Sequence, residues 1–284
     1  TMTILRIAQA QMPVCTERKQ LIRILESLAE QAVRNHADLL SLPEMFCCPY
    51  DVCCFPAHAE EEGGPVWQIC SRIARSFHIC LSAGTMPERD SDGRIYNTAY
   101  VFDGSGSQIA KHRKMHLFDI SVEGGQHFRE SAVLTPGNEV TTFDAGPCTM
   151  GLAVCYDIRF PELFRLMALQ GARVILVPAS FNLTTGPMHW ELLFRSQAVS
   201  NQVFLVGTAP ARDETASYTS WGHSIVTDPW GNVVSQMDAG AGLRVTGIDL
   251  AECKRVREQI PLLRHRREDV YTLSLSVSPH GHTE

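Results

Sequence analysis

Apolar residues recur along this chain with two alternating rhythms, one of strands and one of helices. Ile4–Gln11 reads as a strand, and Leu21, Ile22, Leu25, Leu28, Ala29, Ala32 and Val33 then fall at the spacing of an amphipathic helix. Asp38-Leu39-Leu40-Ser41-Leu42 is a short buried strand cut off by Pro43. The pattern next predicts a helix over 66–77 and a strand over 79–83. Strands over 96–102 and 108–111 flank the hairpin signal Asp103-Gly104-Ser105-Gly106. The second half repeats the style. A strand over 149–154 precedes a helix over Pro161–Leu169, with the proline suited to a first helical turn. A strand over 174–177, a helix face of Trp190, Leu193, Phe194 and Ala198, and a strand over 203–208 come next. Short strands over 224–227, 233–236 and 243–248, then a helix over 250–260 ended by Pro261, complete the pattern.

Strands and helices in alternation, with frequent hairpins, imply α/β architecture with mixed sheets covered by helices. Two similar halves suggest two such sheets packed together. No composition break divides the chain, which predicts one domain over 1–277 and a polar, disordered tail over 278–284.

Composition narrows the function. The 284 residues are 44% apolar and 20% charged, ordinary for a globular protein. No uninterrupted apolar run approaches the ~18 residues of a membrane span, and the N-terminus lacks the basic start and apolar core of a secretory signal. A net charge of −6 excludes a global basic field for nucleic acid. Of two basic runs, Arg264-His265-Arg266-Arg267 reads as solvated charge, whereas Lys111-His112-Arg113-Lys114 holds a candidate for chemistry. Ten cysteines in a long chain without a signal read as reduced thiols in the cytoplasm.

The sharpest local feature is Gly151-Leu152-Ala153-Val154-Cys155-Tyr156-Asp157-Ile158-Arg159-Phe160-Pro161-Glu162. A buried strand runs into a cysteine, then a tight turn, then a proline-opened helix, a geometry that lifts a nucleophile beside amide N–H groups able to hold an oxyanion. A lone strand-end cysteine is more often structural. A thiol also needs a proton acceptor and a counter-charge to cleave amides. Leu42-Pro43-Glu44 places a carboxylate directly after a buried strand, where partial burial raises its pKa toward that of a general base. Arg113-Lys114-Met115-His116-Leu117-Phe118 follows another strand, and Lys114 would set a fixed positive charge beside an oxyanion. His112 and His116 are four apart but not on a clear helix, so a metal pair is not expected.

Together, Leu42-Pro43-Glu44, the Lys114 segment and the Cys155 segment resemble the nitrilase superfamily of carbon–nitrogen hydrolases, in order and across nearly the whole chain. The resemblance implies a four-layer αββα sandwich with two mixed β-sheets, usually dimeric or higher, with no metal or organic cofactor. It implies a Glu44–Lys114–Cys155 triad, with Glu130 as a further glutamate grouped with it. Ser180 to Glu191, Pro210-Ala211-Arg212-Asp213, Ala216-Ser217-Tyr218 and Trp221-Gly222-His223-Ser224 resemble the omega-amidase branch, which hydrolyses the terminal amides of α-ketoglutaramate and α-ketosuccinamate. A deaminated-glutathione amidase, another amidase or carbamoylase of the superfamily, and a non-catalytic scaffold of the same fold are the alternatives.

A dicarboxylate half-amide needs a cationic anchor, and Arg159 is the candidate, unless it pairs with Glu162. Tyr50 resembles a family tyrosine at the pocket mouth. Tyr156, Phe181, Thr185 and His189 are the remaining candidates for substrate contact. The loop carrying Cys47, Cys48, Cys53 and Cys54 departs from the family pattern; adjacent cysteine pairs hold a metal awkwardly, so packing roles are expected.

Overall fold

The computed structural model describes residues 3–276, so the tail expected over 278–284 lies outside the described residues. The first half contains β1 (Ile4–Gln11), α1 (Arg18–Arg34), β2 (Leu39–Ser41), a short α2 (Phe55–His58) and α3 (Pro65–Phe77). It continues through β3 (Cys80–Arg89), β4 (Ile95–Phe102) and β5 (Gln108–Arg113). A small ribbon of β6 (Asp119–Ser121) and β7 (His127–Arg129) follows.

The second half contains β8 (Thr141–Ala145), β9 (Cys148–Leu152), α4 (Pro161–Leu169), β10 (Val174–Pro178) and α5 (Gly186–Asn201). β11 (Phe204–Thr208), β12 (Ile225–Thr227) and β13 (Val233–Gln236) complete its sheet. β14 (Gly242–Asp249) then returns to the first sheet, and α6 (Ala251–Gln259) follows.

Two six-stranded mixed sheets result, ordered β14-β1-β2-β3-β4-β5 and β13-β12-β11-β10-β9-β8. Each has three parallel strands at its centre, one antiparallel strand on one flank and an antiparallel pair on the other. The sheets pack face to face with α1 and α3 outside the first and α4 and α5 outside the second, an αββα sandwich. Strand alternation builds these layers: β1 turns Leu5 and Ile7 toward the facing sheet and Ala8 and Ala10 toward the helices. Polar side chains cross between the sheets near the site. Gln9 Nε2 donates to Gly207 O at 2.7 Å, and the Ser41 and Thr208 hydroxyls lie 2.8 Å apart.

Some elements differ from the pattern reading. Val33, which the spacing puts on the buried face of α1, is 41% exposed, because it sits about 100° round the helix from the buried Ala32. β3 runs on through Pro87, beyond the last β2 pairing at Ser82, so the missing N–H falls where no β2 neighbour needs it. The short and partly exposed β6, β7 and β8 carry too little apolar alternation to register in the sequence.

Candidate active site

Three strand exits converge at one end of the sandwich. Glu44 stands three residues beyond β2, where Pro43 O accepts the Thr85 N–H at 3.2 Å. Gly84 makes that approach possible: it has φ +54°, and a Cβ there would lie 2.0 Å from Pro43 O. Lys114 follows β5 directly, and its N–H donates to Asn97 O at 2.8 Å. Cys155 begins a 3₁₀ turn, Cys155–Arg159, just past β9, with φ +44°. Among the described residues, six non-glycine residues have positive φ. His36, His78 and Gln202 lie at or just after helix ends, where the left-handed conformation is routine. Met45 and Cys155 instead flank the convergence point, and such strain collects at functional sites.

The side chains of Glu44, Lys114 and Glu130 are fully buried and Cys155 is 4% exposed. Lys114 Nζ lies 2.9 Å from Glu130 Oε1, 3.3 Å from Glu44 Oε1 and 3.2 Å from the Tyr50 hydroxyl. Tyr50 donates to Glu130 Oε1 at 2.5 Å, and Glu130 Oε2 accepts the Phe118 N–H at 2.7 Å. Glu44 Oε1 accepts from Asn97 Nδ2 at 2.8 Å, and Oε2 from the Ser180 N–H at 2.8 Å. The Cys155 thiol lies 3.8 Å from Ser180 O, and the Glu44 carboxylate is near enough for its charge to act on the sulfur. Tyr218, whose hydroxyl donates to Ser180 O at 2.6 Å, lies against Tyr50 with the rings tilted and their centroids 4.6 Å apart.

Two carboxylates share one ammonium here, and the imbalance sets the protonation states. Burial pushes Glu44 up; Lys114 opposes this and the Glu130 charge adds to it, leaving Glu44 above the usual range. Burial and the Glu44 carboxylate likewise hold the Cys155 thiol well above its usual value. Burial alone would lower Lys114, but Glu130 and Glu44 hold it well above the ordinary lysine range. These directions favour a protonated thiol on Cys155 and a charged ammonium on Lys114, with the Glu44 carboxyl between them.

Beneath the elbow, buried Asp157 ties the turn down. It accepts from the Val154 N–H at 2.9 Å, the His116 N–H at 2.9 Å, His116 Nδ1 at 2.8 Å and His112 Nε2 at 3.2 Å. Burial works against its charge, but the His112 and His116 hydrogen bonds hold the carboxyl well below its usual range. Both histidines thus serve one carboxylate. No group of three or more His, Cys, Asp or Glu among the described residues could hold a metal ion.

The other candidates divide. Tyr50 belongs to the charged cluster. The Arg159 guanidinium lies 5.2 Å from the Phe181 ring centroid, 5.7 Å from that of Tyr156 and 3.2 Å from His189 Nδ1. Arg159 makes no ion pair with Glu162 or any other carboxylate among the described residues. Thr185 stands apart, its hydroxyl donating to Asn182 Oδ1 at 3.1 Å. A cavity of about 420 Å³ reaches Glu44, with Tyr50, Ser180, Asp213, Ser217 and Tyr218 in its walls. Arg159, Tyr156, Phe181, Thr185 and His189 are not in those walls, although the Arg159 charge is felt at Tyr218.

Sequence reading passed over Asn97 and gave no site role to Asp157, Ser180 and Tyr218, although these lie in the segments that carry the resemblance. Asn97 carried a usable signal, a polar residue inside the apolar strand Ile95–Phe102. Ser180 acts through its backbone, which residue type does not reveal. In the cysteine loop Cys47 and Cys48 pack in the interior, Cys54 is half-buried and Cys53 exposed, and all four are free thiols.

An αββα sandwich with a thiol, a carboxylate and an ammonium buried at its strand exits defines a class of hydrolases. The chain belongs to the carbon-nitrogen hydrolase family, whose model matches residues 6–258. It is 43% identical to the omega-amidase NIT2 of Mus musculus over 272 residues, covering 96% of this chain and 98% of that protein. The structure of Nit3 from Saccharomyces cerevisiae, a member of branch 10 of the nitrilase superfamily, is 36% identical with a TM-score of 0.85, covering 93% of this chain and 97% of that one. An amidase from Nesterenkonia sp. AN1, 26% identical with a TM-score of 0.76, covers 94% of this chain and 95% of its own. In that structure the acetamide moiety of fluoroacetamide is covalently added at the active site cysteine.

Proposed function

We propose that this enzyme is an omega-amidase, cleaving the terminal amide of a small dicarboxylate half-amide such as α-ketoglutaramate or α-ketosuccinamate to the acid and ammonia. The observation that carries this reading is the buried meeting of Cys155, Glu44 and Lys114 in a chain so similar to omega-amidases over its length. In it, Glu44 takes the thiol proton as Cys155 sulfur attacks the amide carbonyl. Lys114 and the Tyr156 N–H, one of the donors a helical turn leaves without an internal partner, hold the oxyanion. Glu44 returns the proton to the leaving nitrogen, ammonia departs, and a thioester remains. Glu44 then takes a proton from water, which attacks the thioester; the acid leaves and the proton returns to sulfur. Adduct formation on the Nesterenkonia amidase cysteine supports the nucleophile assignment.

Glu130 positions Lys114, holding it at 2.9 Å. Arg159, free of carboxylate partners, anchors the far carboxylate, with His189, Phe181 and Tyr156 around it and Thr185 bracing the Asn182 turn. The reading includes one catalytic domain over 1–277, a homodimer or higher homo-oligomer, and a cytoplasmic location. No helix among the described residues is long and apolar enough to cross a membrane.

The test is ammonia release from α-ketoglutaramate, run beside deaminated glutathione, N-carbamoyl-β-alanine and a simple nitrile. The reading expects the highest kcat/KM on α-ketoglutaramate. Preference for another compound would move the enzyme to a different branch, and silence on all four would favour a scaffold.

A further inference from the structure

A second cavity, about 340 Å³, lies at the opposite end of the second sheet, beside the residues that lead into β10 and β11. Arg173, Lys254, Arg257 and Arg264 line it with a single acid, Glu258, an excess of positive charge on a chain whose net charge is −6. Lys254 and Glu258 approach only to 3.8 Å at the surface. Arg173 and Arg257 are half-buried and form no ion pair among the described residues.

Their side-chain hydrogen bonds go to backbone carbonyls. Arg257 donates to Gln202 O at 3.2 Å and Ala172 O at 3.0 Å, and Arg173 to Pro147 O at 2.5 Å. Burial disfavours the Arg257 charge, and the neighbouring Arg173 charge disfavours it further. An anion between them would relieve both costs. Gln202, only 1% exposed, lines the same cavity. Its Nε2 donates to Ile260 O at 2.5 Å, while its buried Oε1 accepts no hydrogen bond.

We infer that this cavity is a binding site for a phosphate group, either free phosphate or a small phosphomonoester. Guanidinium forks match phosphate oxygens bidentately. Glu258, the one acid among the lining residues, can accept an O–H from the ligand, which hydrogenphosphate or a hydroxylated phosphomonoester supplies and sulfate does not. Arg264, read from sequence as part of a solvated basic run, takes a place on the rim of this site.

Calorimetric titration of the full chain with inorganic phosphate, glycerol 3-phosphate and sulfate at matched ionic strength tests the site. Saturable binding of a phosphate compound is expected, with sulfate at least ~10-fold weaker for want of the O–H contact. Tighter binding of glycerol 3-phosphate identifies a phosphomonoester as the occupant, and parity identifies free phosphate. Arg264→Glu and Lys254→Glu remove exposed cations that make no backbone bonds. Each should weaken binding by about 10-fold, a lost charge-assisted contact, without lowering the melting temperature. Arg159→Gln, at the other end of the molecule, should leave binding unchanged. Absence of saturable heat, equal binding of sulfate, indifference to both rim variants, or loss of binding in Arg159→Gln would each overturn the site.

Discussion

The two halves of this molecule share a topology but contribute unlike chemistry. Strands β14, β1, β2, β3, β4 and β5 of the first sheet correspond in order and direction to β8, β9, β10, β11, β12 and β13 of the second. The exits of β2 and β5 deliver Glu44 and Lys114. The corresponding exits of β10 and β13 deliver Ser180, which offers a backbone N–H, and Asp238, whose carbonyl accepts from Gln11 Nε2 at 2.7 Å. The exit of β9 delivers the thiol of Cys155, where that of β1 delivers only Met12. The buried charges that meet at the site, Glu44, Lys114 and Glu130, therefore come from one half, and the thiol plus a backbone donor from the other. The contact between them is short, with Ser180 N–H on Glu44 Oε2 at 2.8 Å, so the reaction depends on how the two sheets dock.

If that division is real, removing the second half's contribution should cost chemistry alone. Cys155→Ala deletes the nucleophile and leaves no charge unpaired; its turnover should fall by at least ~10⁴-fold while the melting temperature stays within a few degrees of the parent. Residual hydrolysis near the parent rate would remove Cys155 from the mechanism. Removing the first half's contribution should cost both. Lys114→Met leaves Glu44 and Glu130 buried without their cation, and urea titration should show a loss of about 3–5 kcal/mol. Its kcat should fall by about 10³-fold through loss of oxyanion stabilisation. A Lys114→Met protein of parental stability would break the comparison.

The sequence carried the main divisions of this design unequally. The limits of β1, α4 and β13 match the apolar pattern, because one fully or half-buried face dictates residue type along them. Glu44, Lys114 and Cys155 were legible because each lies within three residues of a strand end and the three segments together resemble one family. Their convergence was not, since nothing in strand periodicity reports which exits face each other across two sheets. Asp157 illustrates the remainder: within Cys-Tyr-Asp it reads as an ordinary turn residue, and only the fold brings His112 and His116 to it from 45 and 41 residues away. Arg159 was legible as a cation but not as one outside the walls of the cavity that reaches Glu44.

Asp157 offers a gentler break within the second half. Asp157→Asn keeps the shape but loses the charge that gathers His112, His116 and the Val154 N–H beneath the elbow. Misplacement of the thiol should lower kcat by about 10- to 100-fold with little change in KM. Stability carries a second signature. The folded-state pKa of this carboxyl is depressed, so its contribution is fully present above the unfolded value of about 3.9 and is lost as pH falls through the folded value. Asp157→Asn should therefore lose stability less steeply than the parent as pH falls below about 4, read by denaturant titration.

The smallest expected effect sharpens the first half's own arrangement. The proposed mechanism requires Glu44 ionised to accept the thiol proton, and burial followed by the Glu130 charge raises its pKa against the opposing pull of Lys114. The acid limb of kcat/KM should consequently lie above the ordinary glutamate value of about 4.3, with activity falling as pH drops through it. Glu130→Gln retains a carbonyl oxygen able to accept from Lys114, Tyr50 or Phe118 but removes the second negative charge. With that repulsion gone and Lys114 still present, Glu44 ionises more easily, and the limb should move down by about 1 pH unit. Movement in the other direction would mean that Glu130 acts on Glu44 mainly by fixing Lys114 in place, so that losing the position of the cation outweighs losing the charge of the anion.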